Sequence, residues 1–582
     1  MRRLHKPVIF TKSGAVFAPL HSSTANLIMN GDNREWWHTA TIYQIYPKSF
    51  CDSTDRGTGD LKGIISKLDY IRELGVDAIW LTPVYVSPQI DNGYDIADYY
   101  NIDPAYGTMQ DFDMLLSEAH RRGIQIVMDI VVNHTSTEHA WFKSALGNKN
   151  SPYRDYYIWK DPVDGKIPNN WQSKFGGSAW ELDEQSGQYY LHLFAKEQAD
   201  LNWENPAVRD EVKNIIQFWV EKGVDGFRLD VINLISKDQT FSNDDSGDGR
   251  RFYTDGPRVH EYLQEISREV FQKYGAVTVG EMSSTSIEHC RRYSAVDGSE
   301  LSMVFNFHHL KVDYPNGEKW SLAPFDFIAL KKLFSEWQQG LHNKGWNALF
   351  WCNHDQPRIV SRFGDDGEYR EHSAKMLATA VHMLQGTPYI YQGEEIGMTN
   401  PHYSDISQYR DVESLNMHKQ MLAKGLDERD VMAILGSKSR DNSRTPMQWD
   451  DSEHAGFTKG TPWIYPGDNY KGINVKKAIS DQNSVFYFYR DLIDLRKRLP
   501  VITEGDFTDL APDHPSIFCY RRTYGKEHLL VVCNFYADNV EFVIPDTPAG
   551  QAEKVLGNYT GDEGIDRQIH LRPYECRVYH VS

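Results

Sequence analysis

The chain has 582 residues, 40% of them hydrophobic and 25% charged, which suits a large globular domain with attachments. A formal net charge of -19 excludes nucleic acid and anionic membrane as partners, because both are gripped by concentrated positive charge, and it leaves a small molecule. No run of about 18 apolar residues occurs, which excludes a spanning helix. Cys51, Cys290, Cys352, Cys519, Cys533 and Cys576 have neither metal-ligand spacing nor the density of a disulfide scaffold, so they are read as reduced packing residues.

The amino-terminal stretch begins basic, but Lys12 interrupts its apolar part and no A-x-A-like site follows, so a cytoplasmic location is expected. Residues 1–34 are read as a poorly ordered extension, with recognisable domain sequence beginning near Trp36. Short apolar runs then alternate with amphipathic helices, the rhythm of parallel βαβ units. Strands are expected at 41–47, 78–83, 124–132, 226–232, 276–282, 302–307, 347–355 and 388–393, with helices over 61–75 and 110–122. Eight such strands predict a (β/α)8 TIM barrel built from 35–133 and 206–500. Residues 134–205, rich in Trp, Tyr, Gly and Asn, are far too long for an ordinary loop and are read as an inserted subdomain after strand three. Beyond about residue 500 the helical period gives way to alternating segments such as HLLVVCNFY, which predict a C-terminal β-sandwich over 501–582.

In such barrels the chemistry sits at the carboxyl ends of the strands. Strand four ends in Arg228-Leu229-Asp230, strand five in Gly280-Glu281 and strand seven in Asn353-His354-Asp355. Arg228 and Asp230, two apart on a strand, face the same side, and the guanidinium is expected to keep the carboxylate ionised. Three carboxyls at one barrel mouth suit glycoside hydrolysis, which needs a carboxylate nucleophile and a carboxylic acid for the leaving oxygen. Any one of them alone reads equally as a cap or a solvated loop residue.

The segments DIVVNH (129–134), GFRLDV (226–231), GEM (280–282) and NHDQPR (353–358) resemble, in order and spacing, the four diagnostic regions of the α-amylase family of glycoside hydrolases. That resemblance implies retaining hydrolysis, with Asp230 as nucleophile, Glu281 as general acid/base and Asp355 as the residue gripping the ring hydroxyls. It also implies that His134, Arg228, His354 and Asp95 bind the non-reducing glucose, with Tyr94 stacking on it and Arg444 ordering the pocket. YQIYPKSF, QGEEIGM and SRTPMQW are similar to the oligo-1,6-glucosidase-like branch, whose members take short α-glucosides.

Within that branch, MVFNFHHLKVDYPNGEKW (303–320) resembles the phosphotrehalase group, which implies trehalose 6-phosphate as substrate and glucose plus glucose 6-phosphate as products. His308, His309, Lys311 and Lys319 would then meet the phosphate, with Lys237 assisting. The same cations read without the resemblance are a solvated loop, and the rival function is a neutral α-glucosidase or a transglycosylating relative. Relatives often carry a calcium loop D-x-N-x-D-G-x-G-D, but here Thr54 and Arg56 replace two ligands, so no metal or other cofactor is expected. A monomer acting on a phosphorylated disaccharide is the expectation.

Overall fold

The computed structural model describes residues 35–547, 550–561 and 564–582. The extension read at 1–34 lies outside the described residues. Eight strands form one parallel sheet: β1 (Ile42–Ile45), β2 (Ala78–Leu81), β3 (Gln125–Ile130), β4 (Gly226–Leu229), β5 (Val277–Glu281), β6 (Met303–Phe305), β7 (Ala348–Leu349) and β8 (Thr387–Tyr391). Their spatial order is β6-β5-β4-β3-β2-β1-β8-β7, and a parallel bridge between Val304 and Asn347 joins the two ends, closing the barrel. Nearly every strand residue is buried, as expected of a parallel sheet covered on both sides, and this is why these strands read as continuous apolar runs.

The helices follow from local signals. Thr108 and Asp111 form a reciprocal capping box at the start of the helix Met109–Arg121. Asn205 caps the helix Pro206–Lys222, which has Pro at its first position and left-handed Gly223 at its end. The single helix expected over 61–75 is instead two, Leu61–Ser66 and Leu68–Leu74. They meet at Lys67, whose backbone (φ -110, ψ 4) leaves the helical region while its ammonium lies 4.3 Å above the Trp449 ring.

The insertion carries a short antiparallel pair, His134–Ser136 with Gln198–Asp200, and a small sheet of Trp159–Lys160, Gln188–Leu191 and Trp180–Asp183. Its apolar centre, with Trp171, Trp180 and Leu191, packs on Phe241 and Tyr253 from the loop after β4. A second excursion follows β8 and contains helices Val412–Ala423, Glu428–Lys438 and Asp441–Arg444; sequence periodicity had marked none of them.

The carboxyl-terminal part is a five-stranded antiparallel sheet facing a two-stranded one. The strands are β9 (Asp506–Asp509), β10 (Ile517–Tyr524), β11 (Glu527–Asn534), β12 (Val540–Val543), β13 (Ala552–Gly557), β14 (Gln568–Leu571) and β15 (Cys576–Val581); the larger sheet runs β9-β10-β11-β15-β13 and the smaller pairs β12 with β14. Alternate residues of β10 and β11 divide between two interiors. Ile517, Cys519, Leu530 and Val532 face the small sheet, whereas Phe518, Tyr520, Leu529 and Val531 join the barrel core. Burial on both faces explains the unbroken LLVVC run.

Candidate active site

Arg228 is the hub of the barrel mouth. Fully buried at the end of β4, it donates from Nη1 to Asp129 Oδ1 at 2.8 Å and to Asp230 Oδ1 at 2.7 Å, and from Nη2 to Glu281 Oε2 at 2.5 Å. One planar fork thus holds the ends of β3, β4 and β5 together. Asp129 is tied further by the Trp80 indole at 3.1 Å and the Tyr94 hydroxyl at 2.9 Å. Its role in the hub went unassigned in the sequence, although it opens the DIVVNH segment.

Directly after Asp230, Val231 adopts φ 38, ψ 37. A β-branched residue in the left-handed region is strained, and strain of this kind persists only where surrounding structure enforces it. The strained peptide aims the Val231 N–H at Glu281 Oε2, 3.1 Å away. Burial pushes the Asp230 carboxyl well above its ordinary value; Arg228 opposes this, while Glu281 and Asp129 raise it again. Burial and the neighbouring carboxyls thus oppose the pull of the Arg228 guanidinium, and closely packed carboxyls titrate as a group.

Asp355, after β7, lies in a different field. Burial alone would raise it, but His354 and the guanidinium groups of Arg440, Arg444 and Arg228 hold it far below the usual carboxylate range. Arg444 Nη2 donates to its Oδ1 at 2.7 Å and Arg440 Nη1 at 3.3 Å. Burial pushes His354 down to about 3, so its ring is neutral. With the Gln44 amide donating to Nδ1 at 2.8 Å, the ring proton falls on Nε2, 3.3 Å from Asp355 Oδ2. Tyr94 lies flat on that ring (centroids 5.1 Å, interplanar 2°), and Tyr46 lies nearly parallel to it at 6.0 Å. Buried polar atoms without a hydrogen-bond partner gather here, among them Tyr46 Oη, His354 Nε2 and Arg444 Nη1. A pocket lined in this way suits a ligand dense in hydroxyls.

Several expected site residues sit elsewhere. Asp95 is fully buried, and its carboxylate accepts from Ser87 Oγ and from the N–H groups of Ile90 and Asp91, so it ties its own loop rather than facing the pocket. Asp91 takes the expected place: it ion-pairs with Arg440 at 3.1 Å and accepts from Gln198 Nε2 at 3.1 Å. Both acids belong to one short run, DNGYD, and only packing separates them. Arg440 was missed as well, although it stands one helical turn before Arg444. It links Asp91, Asp355 and Asp411.

His134 is buried, with Nε2 3.0 Å from the Tyr94 carbonyl and 3.2 Å from Gln198 Nε2. Lys237 is a correction, being buried at 2% exposure and paired with Asp200 Oδ2 and Asn133 Oδ1, both at 2.8 Å, behind His134 rather than at the rim. His309 is another, because it is buried against Phe334, Phe350 and Trp351, with Nε2 2.8 Å from the Phe350 carbonyl. Lys319 donates to both oxygens of Glu413, at 2.7 and 2.9 Å, and is not a free cation. His308 lies beside Trp337, with its Nδ1 buried and lacking a hydrogen-bond partner among the described residues. Lys311 alone of this group is exposed and makes no hydrogen bond or ion pair among the described residues.

In the loop after β1, Asp52 accepts from Thr54 N, Gly57 N and Thr458 Oγ1, and Asp60 accepts from Ser53 and Gly63. Among the described residues no group of three or more His, Cys, Asp or Glu is placed to hold a metal ion, and no helix is long and apolar enough to cross a membrane.

A closed parallel barrel whose strand ends carry one arginine and three converging carboxyls defines a class of carbohydrate-active enzyme. The chain belongs to the α-amylase family of glycoside hydrolases: the model for its catalytic domain matches residues 44–505, and one for the maltogenic amylase C-terminal domain matches residues 507–578. Trehalose-6-phosphate hydrolase of Bacillus subtilis (strain 168) is similar at 62% identity, over 95% of this chain and 100% of its own. Oligo-1,6-glucosidase of Parageobacillus thermoglucosidasius is 54% identical over 94% and 99%. The crystal structure of Bacillus licheniformis trehalose-6-phosphate hydrolase superposes with a TM-score of 0.91 at 60% identity, covering 94% of this chain and 100% of that one.

Proposed function

We propose that this enzyme hydrolyses trehalose 6-phosphate to glucose and glucose 6-phosphate with retention of configuration. The observation that carries the mechanism is the single Arg228 fork gripping both Asp230 and Glu281. Two carboxyls on one guanidinium are held close together, as the about 5–5.5 Å of a retaining pair requires and the about 6.5–9.5 Å of an inverting pair does not.

Asp230 attacks the anomeric carbon of the unphosphorylated glucose as the glycosidic C–O bond breaks. Glu281 gives its proton to the departing oxygen, and glucose 6-phosphate leaves. Water then attacks the glycosyl-enzyme, Glu281 takes its proton, and Asp230 is released. Asp355, kept ionised by Arg440 and Arg444, holds ring hydroxyls and favours the positive charge that develops on the ring. Asp91 and Arg440 close the far end of the pocket, and neutral His354 donates from Nε2.

The phosphate reading rests on Lys311 past β6, exposed and without a hydrogen bond or ion pair among the described residues, and on relatives named for this substrate. A phosphorylated sugar and six free, buried cysteines fit a cytoplasmic enzyme. The test compares kcat/KM for trehalose 6-phosphate, trehalose and isomaltose. Strong preference for the first is expected, with the released glucose initially α; isomaltose turned over as well or better moves the protein to the neutral α-glucosidases.

A further inference from the structure

The backbone pairing between β4 and β5 stops at Leu229 and Gly280, one residue short of both Asp230 and Glu281. On their outer sides the two chain ends stay held, Asp230 N donating to Ile130 O of β3 at 2.9 Å and Met282 N to Phe305 O of β6 at 3.1 Å. The seam between them opens just where the two carboxyls stand. Past that point it is crossed by Arg228, by the Val231 N–H and by the side chain of Asn233.

Asn233 is wholly buried, and its amide forms with the Ser283 backbone the two bonds that a further ladder rung would make. Its Oδ1 accepts from Ser283 N at 3.0 Å and its Nδ2 donates to Ser283 O at 2.9 Å. Nδ2 also donates to Asp255 Oδ1 at 3.0 Å, and Asp255 N donates back to Asn233 O at 2.9 Å. Asp255 is itself pinned, with Oδ1 accepting from Tyr293 Oη at 2.6 Å and Oδ2 from Thr285 Oγ1 at 3.0 Å. An ionised carboxylate only accepts, so it decides which end of the Asn233 amide is nitrogen. Left-handed backbone at Val231, Asp255 and Ser284 surrounds this one amide, and such conformations persist where the surroundings enforce them.

We infer that Asn233 is a positioning residue that sets the spacing of Asp230 and Glu281, and that Asp255 orients its amide. The inference rests on the double-displacement reading of those two carboxyls. Wholly buried, Asn233 offers no surface to a sugar; it acts through the chain, three residues past Asp230 and bonded to a residue two past Glu281. Without the amide Ser283 loses both of these partners, so the β5 end, and Glu281 with it, is what shifts.

The experiment measures kcat and KM on two kinds of substrate. One is a disaccharide whose leaving oxygen needs a proton, trehalose 6-phosphate or isomaltose, whichever is turned over; the other is p-nitrophenyl α-glucoside, whose leaving group needs little. Asn233→Ala should lower kcat for the disaccharide about 10²-fold with KM within about twofold, the scale of a catalytic group displaced by about 1 Å, and lower kcat for the aryl glucoside about tenfold or less. Asn233→Asp sets one carboxylate against another and should be as damaging, while Asp255→Asn added to it returns a donor to the pair and recovers part of the loss. Asp255→Asn alone leaves the rung to Ser283 intact; it should give a smaller loss of the same uneven kind, and it serves where Asn233→Ala does not fold. A partly folded variant loses the same fraction on both substrates, so the unevenness reports the placement of Glu281. Equal losses on the two substrates, or a kcat for Asn233→Ala within about twofold of wild type on both, overturn the positioning role. If Glu281→Gln also acts equally on both, the acid assignment itself fails and the inference falls with it.

Discussion

Around Arg228 every charge has a partner, whereas at the rim Lys174 and Lys311 have no acidic partner among the described residues. The inner set of Arg228, Asp129, Asp230, Glu281, Asp355, Arg440 and Arg444 is buried or nearly so and cross-linked by ion pairs that tie strand ends to the excursion after β8. The outer set of Lys174, Arg250 and Lys311 lies on loops, and among the described residues only Arg250 of the three has an acidic partner. The contrast separates two tasks. Chemistry needs groups held without reorganisation, which demands internal pairing before substrate arrives. Selection needs charges whose partner is the substrate itself, and those must wait unpaired.

The sharpest break of the inner set is Asp230→Asn, which removes the proposed nucleophile and should lower kcat on the order of 10⁴-fold or more on every substrate. Steady-state kinetics check it, and near-normal activity would sink the mechanism. Glu281→Gln should act unevenly, reducing turnover of trehalose 6-phosphate far more than of p-nitrophenyl α-glucoside, whose leaving group needs little protonation. Equal losses would remove Glu281 from the acid role.

Lys237→Met separates structure from recognition. Breaking the buried pair with Asp200 should cost about 3–5 kcal/mol, read as a lower Tm, while the preference for phosphorylated substrate stays as it was. A reduced preference at unchanged Tm would return Lys237 to the phosphate site. At the rim, Lys319→Met should diminish the preference for phosphorylated substrate less than Lys311→Met does, because Glu413 already satisfies the Lys319 ammonium.

What the sequence determined by itself is the barrel and which acids stand at its strand ends. Eight apolar runs state their burial directly, and alternation along a strand ties the direction of Arg228, Asp230 and Glu281 to their place in the chain. Loop residues have no such rule. Asp91 and Asp95 stand four apart in one run, yet one faces Arg440 and the other its own loop, because Arg440 and Gln198 from distant segments meet Asp91 while the loop's own donors take Asp95. The same holds for the cations. Lys237 and Lys319 were consumed by acids at positions 200 and 413, and Lys311 was left without one among the described residues. Pairing of charges across such sequence distances depends on which loops share a surface, and only the tertiary structure decided that.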